Sequence, residues 1–267
     1  MPRKTRHRQL ARVAARRQAE RRRRDRQRIT VIAVALVVAL IGGVLAFAAF
    51  TGSETPPAAS GTPTPSESSP PQPVACGATA PADANKQPQE FAKPPPMKID
   101  PNKTYTATLD TSCGTIVIQL LADQAPETVN SFVFLAGKGY FDGTQFHRID
   151  TSIEIIQGGD PTATGQGGPG YTIPDELTGN ESYGPGVVAM ANIGEPNTGG
   201  SQFFMVYGPK GHALDSAPDY TIFGQIVKGL GVVERIAKIP VEDPSAGPAG
   251  QQPSKTVYID TVTVRVS

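Results

Sequence analysis

The sequence predicts an all-β domain in residues 100–267, a closed antiparallel barrel of about eight strands capped by two α-helices. Three observations predict this fold. Short runs alternate apolar and polar residues, which is the period of half-buried strands. Turns rich in Gly and Pro separate these runs. Only two segments have helical periodicity.

The predicted strands follow from these alternating runs. They cover residues 105–109, 115–120, 145–149, 153–157, 187–191, 202–207, 221–223 and 256–266. The first helix is predicted from Pro126, which suits the first helical position, and Glu127 favours the positive end of the helix dipole. Glycines at 137 and 139 end it. The second helix is predicted over residues 232–237.

Charge is distributed very unevenly along the chain. Residues 1–28 hold 13 Lys and Arg against two acids, and the remaining residues hold 12 Lys and Arg against 22 acids, so the net charge of +1 hides a basic head and an acidic body. Such asymmetry indicates that the two parts meet different surroundings. The run Arg21–Arg24 is also compatible with nucleic-acid binding, but the segment that follows argues against this interpretation, and no nucleic-acid partner is expected.

Residues 29–50 form an uncharged apolar segment of 22 residues. As a helix it would span about 33 Å, which matches the hydrocarbon core of a bilayer. The 13 basic residues precede it, and no Lys or Arg occurs in the next 35 residues. This bias predicts a single-pass cell-membrane protein with a cytoplasmic N-terminus and an extracytoplasmic folded domain. The lipid bilayer is thus an expected partner through residues 29–50.

Two other interpretations of the apolar segment are open. Ala46-Phe47-Ala48 has the form of a signal-peptide cleavage site, although the apolar run exceeds the usual length of about 7–15 residues. Cys76 faintly resembles a lipid-attachment site but lies far beyond the apolar run. Residues 51–99 are rich in Pro, Ser, Thr and Ala, so a disordered tether is predicted there.

Cys76 and Cys113 are the only cysteines in the chain. An extracytoplasmic compartment is oxidising, so these two residues are predicted to form a disulfide between the end of the tether and the first hairpin turn. Two free thiols are the alternative.

Several other motifs do not support a function. Residues 165–170 match the spacing G-x-G-x-x-G, but Pro169 removes a donor and no helix follows, so a surface loop is predicted. No G-x-S-x-G motif of a serine hydrolase is present. The His and Cys residues have no metal-binding spacing, and neither a metal nor a cofactor is expected. His147 is interpreted as a core imidazole satisfied by hydrogen bonds.

Five motifs carry a family resemblance. They are FHRI at 146–149, QGGD at 157–160, MAN at 190–192, PNTGGSQFF at 196–204 and TIFG at 221–224. In this order, and over about residues 105–266, they resemble the cyclophilin family of peptidyl-prolyl cis-trans isomerases. The resemblance implies an eight-stranded antiparallel barrel with two helices, and proline-containing polypeptides as substrates. The basic N-terminus and the apolar segment resemble membrane-tethered members from actinobacteria.

The resemblance also implies roles for particular residues. The family's catalytic set matches Arg148, Gln157, Phe204 and Asn192, and its substrate-binding set matches Ile155, Ala191, Leu214 and Tyr220. Arg148 would donate a hydrogen bond to the proline nitrogen of the twisted amide, and Phe204 would form the floor of the proline pocket. Gln157 and Asn192 would hydrogen-bond the substrate backbone. Taken singly, Arg148 is also compatible with a surface charge and Phe204 with the core.

The sequence departs from the family pattern at several positions. Eight residues separate Arg148 from Gln157, and Glu154 stands at an apolar pocket position, so a bulge is expected to turn it outward. Ile193 replaces a smaller residue, Tyr220 stands where many members have His, and the chain has no Trp. These changes argue against tight binding of cyclosporin.

The resulting hypothesis is an isomerase that acts on X-Pro bonds in exported or cell-envelope proteins. Two alternatives remain open: a binding or chaperone module with the same fold and slow turnover, and a structural cell-envelope protein in which the tether is the functional part.

Overall fold

Eight strands form one antiparallel sheet in the computed structural model, which describes residues 72–243, 247 and 250–267. The strands are β1 (Tyr105–Thr111), β2 (Gly114–Leu120), β3 (Arg148–Asp150), β4 (Ile155–Gly158), β5 (Val187–Met190), β6 (Phe203–Val206), β7 (Ile222–Lys228) and β8 (Ile259–Val266). Their order in the sheet is β3-β4-β6-β5-β7-β2-β1-β8. The eight predicted strands are therefore present, and the sheet curls about a buried core.

The prediction of a closed barrel is confirmed only in part. No ladder joins the edge strands β3 and β8 within the described residues. Isolated bonds connect the segments that precede them: Gln145 bridges Tyr258, and the Phe146 N–H donates to the Val257 carbonyl at 2.9 Å. The structure is thus a curled half-barrel whose edges meet at a few backbone hydrogen bonds.

Two α-helices pack on the sheet, as predicted. They are α1 (Pro126–Gly137) and α2 (Leu230–Ala237). A distant carboxylate caps α1: both Glu176 carboxylate oxygens accept backbone N–H groups, from Glu127 and Thr128, at 2.9 Å each. These bonds satisfy donors that have no partner within the helix. A 3₁₀ helix over Pro209–Ser216 was not predicted.

The two faces of the central strands serve different purposes, because successive side chains on a strand point in opposite directions. On β6, Phe203 and Met205 lie in the main core, whereas Phe204 and Val206 belong to a second, smaller apolar cluster. All four are buried, so this central strand is covered on both faces. The second cluster supports the groove described below.

The structure differs from the predicted element bounds where the backbone turns. Strand β4 begins at Ile155, two residues later than predicted, because Glu154 has a positive φ of 54° and cannot continue an extended strand. Among the described residues, no helix is long and apolar enough to cross a bilayer. The predicted membrane span at 29–50 lies outside the described residues.

Residues 72–99, here called the strap, are packed against the domain although they lie within the predicted tether. The Phe91 ring packs edge-on against Phe134 with centroids 5.0 Å apart, and the Phe91 N–H donates to the Pro169 carbonyl at 2.8 Å. Further along, the Asn130 side chain accepts the Lys98 N–H at 2.9 Å. Composition alone predicted disorder here, and a few specific anchors hold this part of the segment instead.

The strongest anchor of the strap is covalent. Cys76 and Cys113 form a disulfide in the structure, with an S–S distance of 2.03 Å. The bond joins the start of the strap to the turn between β1 and β2. Beside it, the Ala75 N–H donates to the Thr256 carbonyl at 2.9 Å.

We expect replacement of both Cys76 and Cys113 by serine to lower the free energy of unfolding by about 2–4 kcal/mol, because the bond closes a loop across a sequence separation of 37 residues. Thermal unfolding of the wild type with and without dithiothreitol should show the same loss on reduction, and the double variant should be insensitive to the reductant. Two thiols that react with an alkylating agent in the non-reduced, unfolded wild type would contradict the pairing.

Candidate functional site

The strand register places the predicted site residues in one row. Arg148 on β3 lies opposite Gln157 on β4, Gln157 lies opposite Phe204 on β6, and Phe204 lies opposite Ala189 on β5. Directly opposed residues share a face of the sheet. Local alternation and register alone therefore bring a cation, an amide and an aromatic ring to one surface.

Arg148, Gln157 and Phe204 of this row line a groove of about 570 Å³ on the outer face of the sheet. All eight predicted catalytic and substrate-binding residues line it: Arg148, Ile155, Gln157, Ala191, Asn192, Phe204, Leu214 and Tyr220. They come from β3, β4, β6, the 3₁₀ helix and the segments after β5 and before β7. The groove has a polar end at Arg148 and an apolar end at Phe204.

Three partners fix the Arg148 guanidinium. Nε donates to Gln251 Oε1 at 2.6 Å, Nη1 donates to Gln157 Oε1 at 2.9 Å, and Nη2 donates to Asp150 Oδ2 at 2.6 Å. A guanidinium has five N–H donors, so the three bonds leave two donors, one on each terminal nitrogen. The side chain is 22% exposed, and these remaining donors are available to a bound molecule in the groove.

Asp150 is the acidic partner of Arg148 and is itself buried. Burial, the largest effect, raises the pKa of this carboxyl, but hydrogen bonds from Ser152 and the charge of Arg148 together lower the pKa below its ordinary value. The carboxylate is therefore ionised at neutral pH and neutralises the arginine that it orients.

The Gln157 side chain is held at both ends. Its carbonyl oxygen accepts from Arg148, and its Nε2 donates to Gln202 Oε1 at 2.9 Å. Gln202 in turn donates to the Gly167 carbonyl at 2.9 Å. This relay fixes the amide orientation of Gln157, which agrees with its predicted role of orienting the arginine.

An aromatic cluster forms the apolar end of the groove. Phe204 is 3% exposed, and its ring meets the Tyr220 ring edge-on with centroids 5.3 Å apart. Behind them lies the fully buried Tyr183, whose hydroxyl donates to the Tyr220 carbonyl at 2.8 Å. Burial raises the pKa of Tyr183 to about 12, so the hydroxyl stays protonated. Ile155 and Leu214 complete this cluster.

The Asn192 side chain is occupied by internal bonds. Its Nδ2 donates to the Asp219 carbonyl at 2.8 Å, and its Oδ1 accepts the Gly194 N–H at 3.0 Å. Within the described residues its own backbone N–H and carbonyl form no hydrogen bond. The predicted contact with a substrate backbone would thus come from the main chain of Asn192, which its side chain holds in place.

Glu154 is turned away from the groove, as expected from the departure in spacing. Its carboxylate accepts the Lys210 N–H at 2.8 Å and pairs with Lys210 Nζ at 3.3 Å. It thereby caps the start of the 3₁₀ helix that carries Leu214. Ile153 and Ile155, on either side of Glu154, line the groove.

The interpretation of His147 as a hydrogen-bonded core imidazole is wrong in one respect. The residue is 7% exposed, but neither ring nitrogen has a hydrogen-bond partner within the described residues. Burial lowers the pKa of His147, partly opposed by the charge of Asp160. The ring is therefore neutral at pH 7, and it lines the groove beside Arg148.

A Ser-His-Asp cluster outside the groove lacks hydrolase geometry. Ser182 Oγ and Asp215 Oδ2 both lie against the same nitrogen of His212, Nδ1, at 3.3 and 3.0 Å. A catalytic triad needs the serine and the carboxylate on different ring nitrogens. The cluster connects the segment before β5 to the 3₁₀ helix.

Sequence reasoning missed four supporting residues. Asp150 follows Arg148 by two positions on β3 and so shares its face, a signal that was present in the sequence. Gln202 precedes Phe204 by two positions within the strand predicted over 202–207, so it carried the same signal. Gln251 and Tyr183 carried no such signal, because each is brought to the site by tertiary packing. The glycine-rich loop at 165–170 was predicted as a surface loop, but Gly165 and Gln166 also line the groove.

Comparison with known protein families shows the family to which this chain belongs. Residues 106–264 match the family described as cyclophilin type peptidyl-prolyl cis-trans isomerase. The chain belongs to this family. The cyclophilin match spans nearly all of the described sheet, including edge strand β3, most of edge strand β8 and the whole groove.

Relatives of this cyclophilin have named isomerase activities. It is 42% identical over 160 residues to the human peptidyl-prolyl cis-trans isomerase-like 1, covering 56% of this chain and 92% of the relative. It is 38% identical over 181 residues to the probable peptidyl-prolyl cis-trans isomerase B of Mycobacterium leprae, covering 62% of this chain and 59% of that protein. Both support the assignment as a peptidyl-prolyl cis-trans isomerase.

Solved structures resemble this cyclophilin as well. A cyclophilin-type peptidyl-prolyl cis-trans isomerase from Cryptosporidium parvum aligns with a TM-score of 0.54 at 28% identity, over 61% of this chain and 98% of that one. The same protein in the presence of the dipeptide Ala-Pro aligns with a TM-score of 0.53 at 29% identity, over 60% of this chain and 98% of that one.

Proposed function

We propose that this cyclophilin accelerates X-Pro isomerisation in exported or cell-envelope proteins, held on the outer side of a membrane by residues 29–50. The observation that carries the catalytic part is the fixed Arg148 guanidinium, with two donors left for the groove, in one row with Gln157 and Phe204. The dipeptide Ala-Pro, present with the Cryptosporidium relative, supports a proline-containing peptide as the ligand of this groove.

The chemistry requires no covalent intermediate. Rotation about an amide bond faces a barrier of about 18–20 kcal/mol because resonance is lost in the twisted state. There the proline nitrogen regains a lone pair and can accept a hydrogen bond. A preorganised donor that meets this lone pair stabilises the transition state more than either planar ground state.

The groove residues fit the separate parts of this task. The aromatic end at Phe204 and Tyr220 would hold the pyrrolidine ring, since both rings present apolar surface to it. The main chain of Asn192 would hydrogen-bond the peptide on one side of the rotating bond. With the ring fixed, only the preceding carbonyl side rotates, and Arg148 would meet the nitrogen as its lone pair develops.

Two features support the extracytoplasmic location. The basic residues lie almost entirely before the apolar segment, which is the bias that orients a membrane span. The Cys76–Cys113 bond, which suits an oxidising compartment, lies in the part of the chain predicted to be outside. The Mycobacterium leprae relative supports the bacterial, actinobacterial-like part of the proposal.

We expect protease added to intact cells or protoplasts to cleave the domain or the segment at 51–71, because both would lie outside the membrane. An antibody against the C-terminal strand β8 should follow the loss of the full-length chain, and a cytoplasmic protein should survive as the control. Cleavage that requires permeabilised cells would show that the orientation is reversed or that the chain is cytoplasmic.

A further inference from the structure

A second cavity of about 460 Å³ adjoins the proline groove. The two share a wall made of Gln157, Gly165, Gln166, Ala191 and Asn192. A peptide whose proline occupies the first groove therefore passes the second. In an extended peptide, side chains two residues apart lie on the same side and about 6.5–7 Å from each other, so a neighbouring side chain can enter the second cavity.

The wall of this cavity is rich in glycine. Five of its lining residues are glycines, at positions 165, 167, 168, 170 and 200. A methyl group at Gly200 would lie 3.1 Å from the Pro169 ring, and one at Gly170 would lie 2.9 Å from the Phe91 carbonyl oxygen. The glycines therefore allow the loop at 165–170, the strap and the segment before β6 to approach closely, and the cavity of about 460 Å³ between them can accept a long side chain.

Glu90 is the only charged side chain among the described residues that line the second cavity. It comes from the strap and is held there by its neighbour, because the Phe91 N–H bonds to the Pro169 carbonyl at 2.8 Å and the Phe91 ring packs on Phe134. A Cβ at Gly170 would lie 3.4 Å from Glu90 Cβ. The backbone and Cβ of Glu90 are thus held at the cavity rim, and its exposed carboxylate is accessible from the cavity.

Ile193 gives the same rim an apolar element. Its side chain is 80% exposed, the largest value among the exposed large hydrophobic residues that the structure describes, and it lines the second cavity directly after Asn192. An isoleucine side chain so exposed is not stabilised by burial in the core. It offers apolar surface to whatever enters from solvent.

We propose that the second cavity binds a Lys or Arg side chain of the substrate, close to the isomerised proline. Such a side chain has an apolar stem that can lie on Ile193 and a cation that can pair with Glu90. An acidic side chain would be repelled by Glu90. This proposal rests on the proposed isomerase function and names its substrate class: proline-containing segments with a basic residue nearby.

The test measures isomerisation by NMR exchange spectroscopy with the full chain in detergent micelles. The peptides differ only in one residue, Lys, norleucine or Glu, placed in turn at each of the two positions on either side of the proline. At one position we expect kcat/KM for Lys to exceed that for norleucine by about two- to five-fold, as for an exposed ion pair. The preference should appear in KM and should disappear at high salt.

Substitutions at Glu90 and Ile193 test whether these residues cause the preference for the Lys peptide. Glu90→Gln should remove the preference for Lys and leave the norleucine peptide unchanged, and Glu90→Lys should favour the Glu peptide. Ile193→Ser should weaken binding of both the Lys and the norleucine peptides. Glu234→Gln, on the exposed side of α2, is the matched control and should change nothing.

The outcomes separate this inference from the function on which it rests. Absence of a Lys preference in the wild type, or its survival in Glu90→Gln, would overturn the assignment of the second cavity while isomerisation continues. Failure to isomerise any of the peptides would overturn the isomerase function and this inference with it.

Discussion

Replacement of Arg148 by alanine is expected to lower kcat/KM by about 10²–10³, which corresponds to roughly 3–4 kcal/mol of transition-state stabilisation. Arg148 is the groove's fixed cationic donor, and the proline nitrogen accepts its hydrogen bond only when the amide is twisted. The loss should therefore appear mainly in kcat. NMR exchange spectroscopy on a proline peptide with the full chain measures both kcat and KM.

The environment of Arg148 explains why a conservative change should rescue poorly. Three side chains bind three different N–H groups of its planar guanidinium, and an ammonium cannot reproduce that geometry. Arg148→Lys should thus recover only a small part of the activity. The fold should survive, since Asp150 keeps its bonds from Ser152 at 2.5 and 2.9 Å.

Arg265→Ala provides a matched control, because Arg265 is exposed on the edge strand β8 and lines neither cavity. It should retain full activity. Equal rates for the wild type and Arg148→Ala, with both proteins folded by circular dichroism, would contradict the mechanism. If both rates are also slow, the binding module with slow turnover is favoured.

The part of the site predictable from sequence is the part that strand geometry determines. Arg148, Gln157 and Phe204 lie on three strands whose period-2 patterns were visible, and the register joins them in one row. The outward orientation of Glu154 was also predictable. The segment between Arg148 and Gln157 has one residue more than the family pattern, and burial of a carboxylate in an apolar pocket is unfavourable. The family motifs predict the catalytic roles of these residues, and the alternation of apolar and polar residues predicts the face of the sheet on which each side chain lies.

The part that could not be predicted depends on contacts between distant segments. Gln251 bonds Arg148 across 103 residues of sequence, and it lies in a loop with no periodic pattern. The strap has the composition of a disordered tether, yet one disulfide and the packing of Phe91 anchor it. Composition indicates the average burial of a segment but does not show which of its residues contact the domain. The position of Glu90 at the second cavity therefore had no sequence signal.

The adjacent residues Phe203 and Phe204 allow stability and substrate binding to be separated. Both are buried on β6, but Phe203 faces the main core and Phe204 faces the groove cluster. Truncation of a buried phenylalanine to alanine removes its packing and leaves a cavity, at a cost of about 3–5 kcal/mol. Each single alanine variant is therefore expected to lose stability of this order.

Only Phe204→Ala should also raise KM strongly, because its ring would contact the substrate proline and holds Tyr220 edge-on. Phe203→Ala is the matched control: the fraction that remains folded should keep nearly normal KM and kcat. Urea unfolding measures stability, and NMR exchange spectroscopy below the unfolding transition measures KM. If Phe204→Ala does not fold, Phe204→Leu retains most of the volume and still removes the flat aromatic floor. An unchanged KM in the folded Phe204 variant would place the proline elsewhere in the groove.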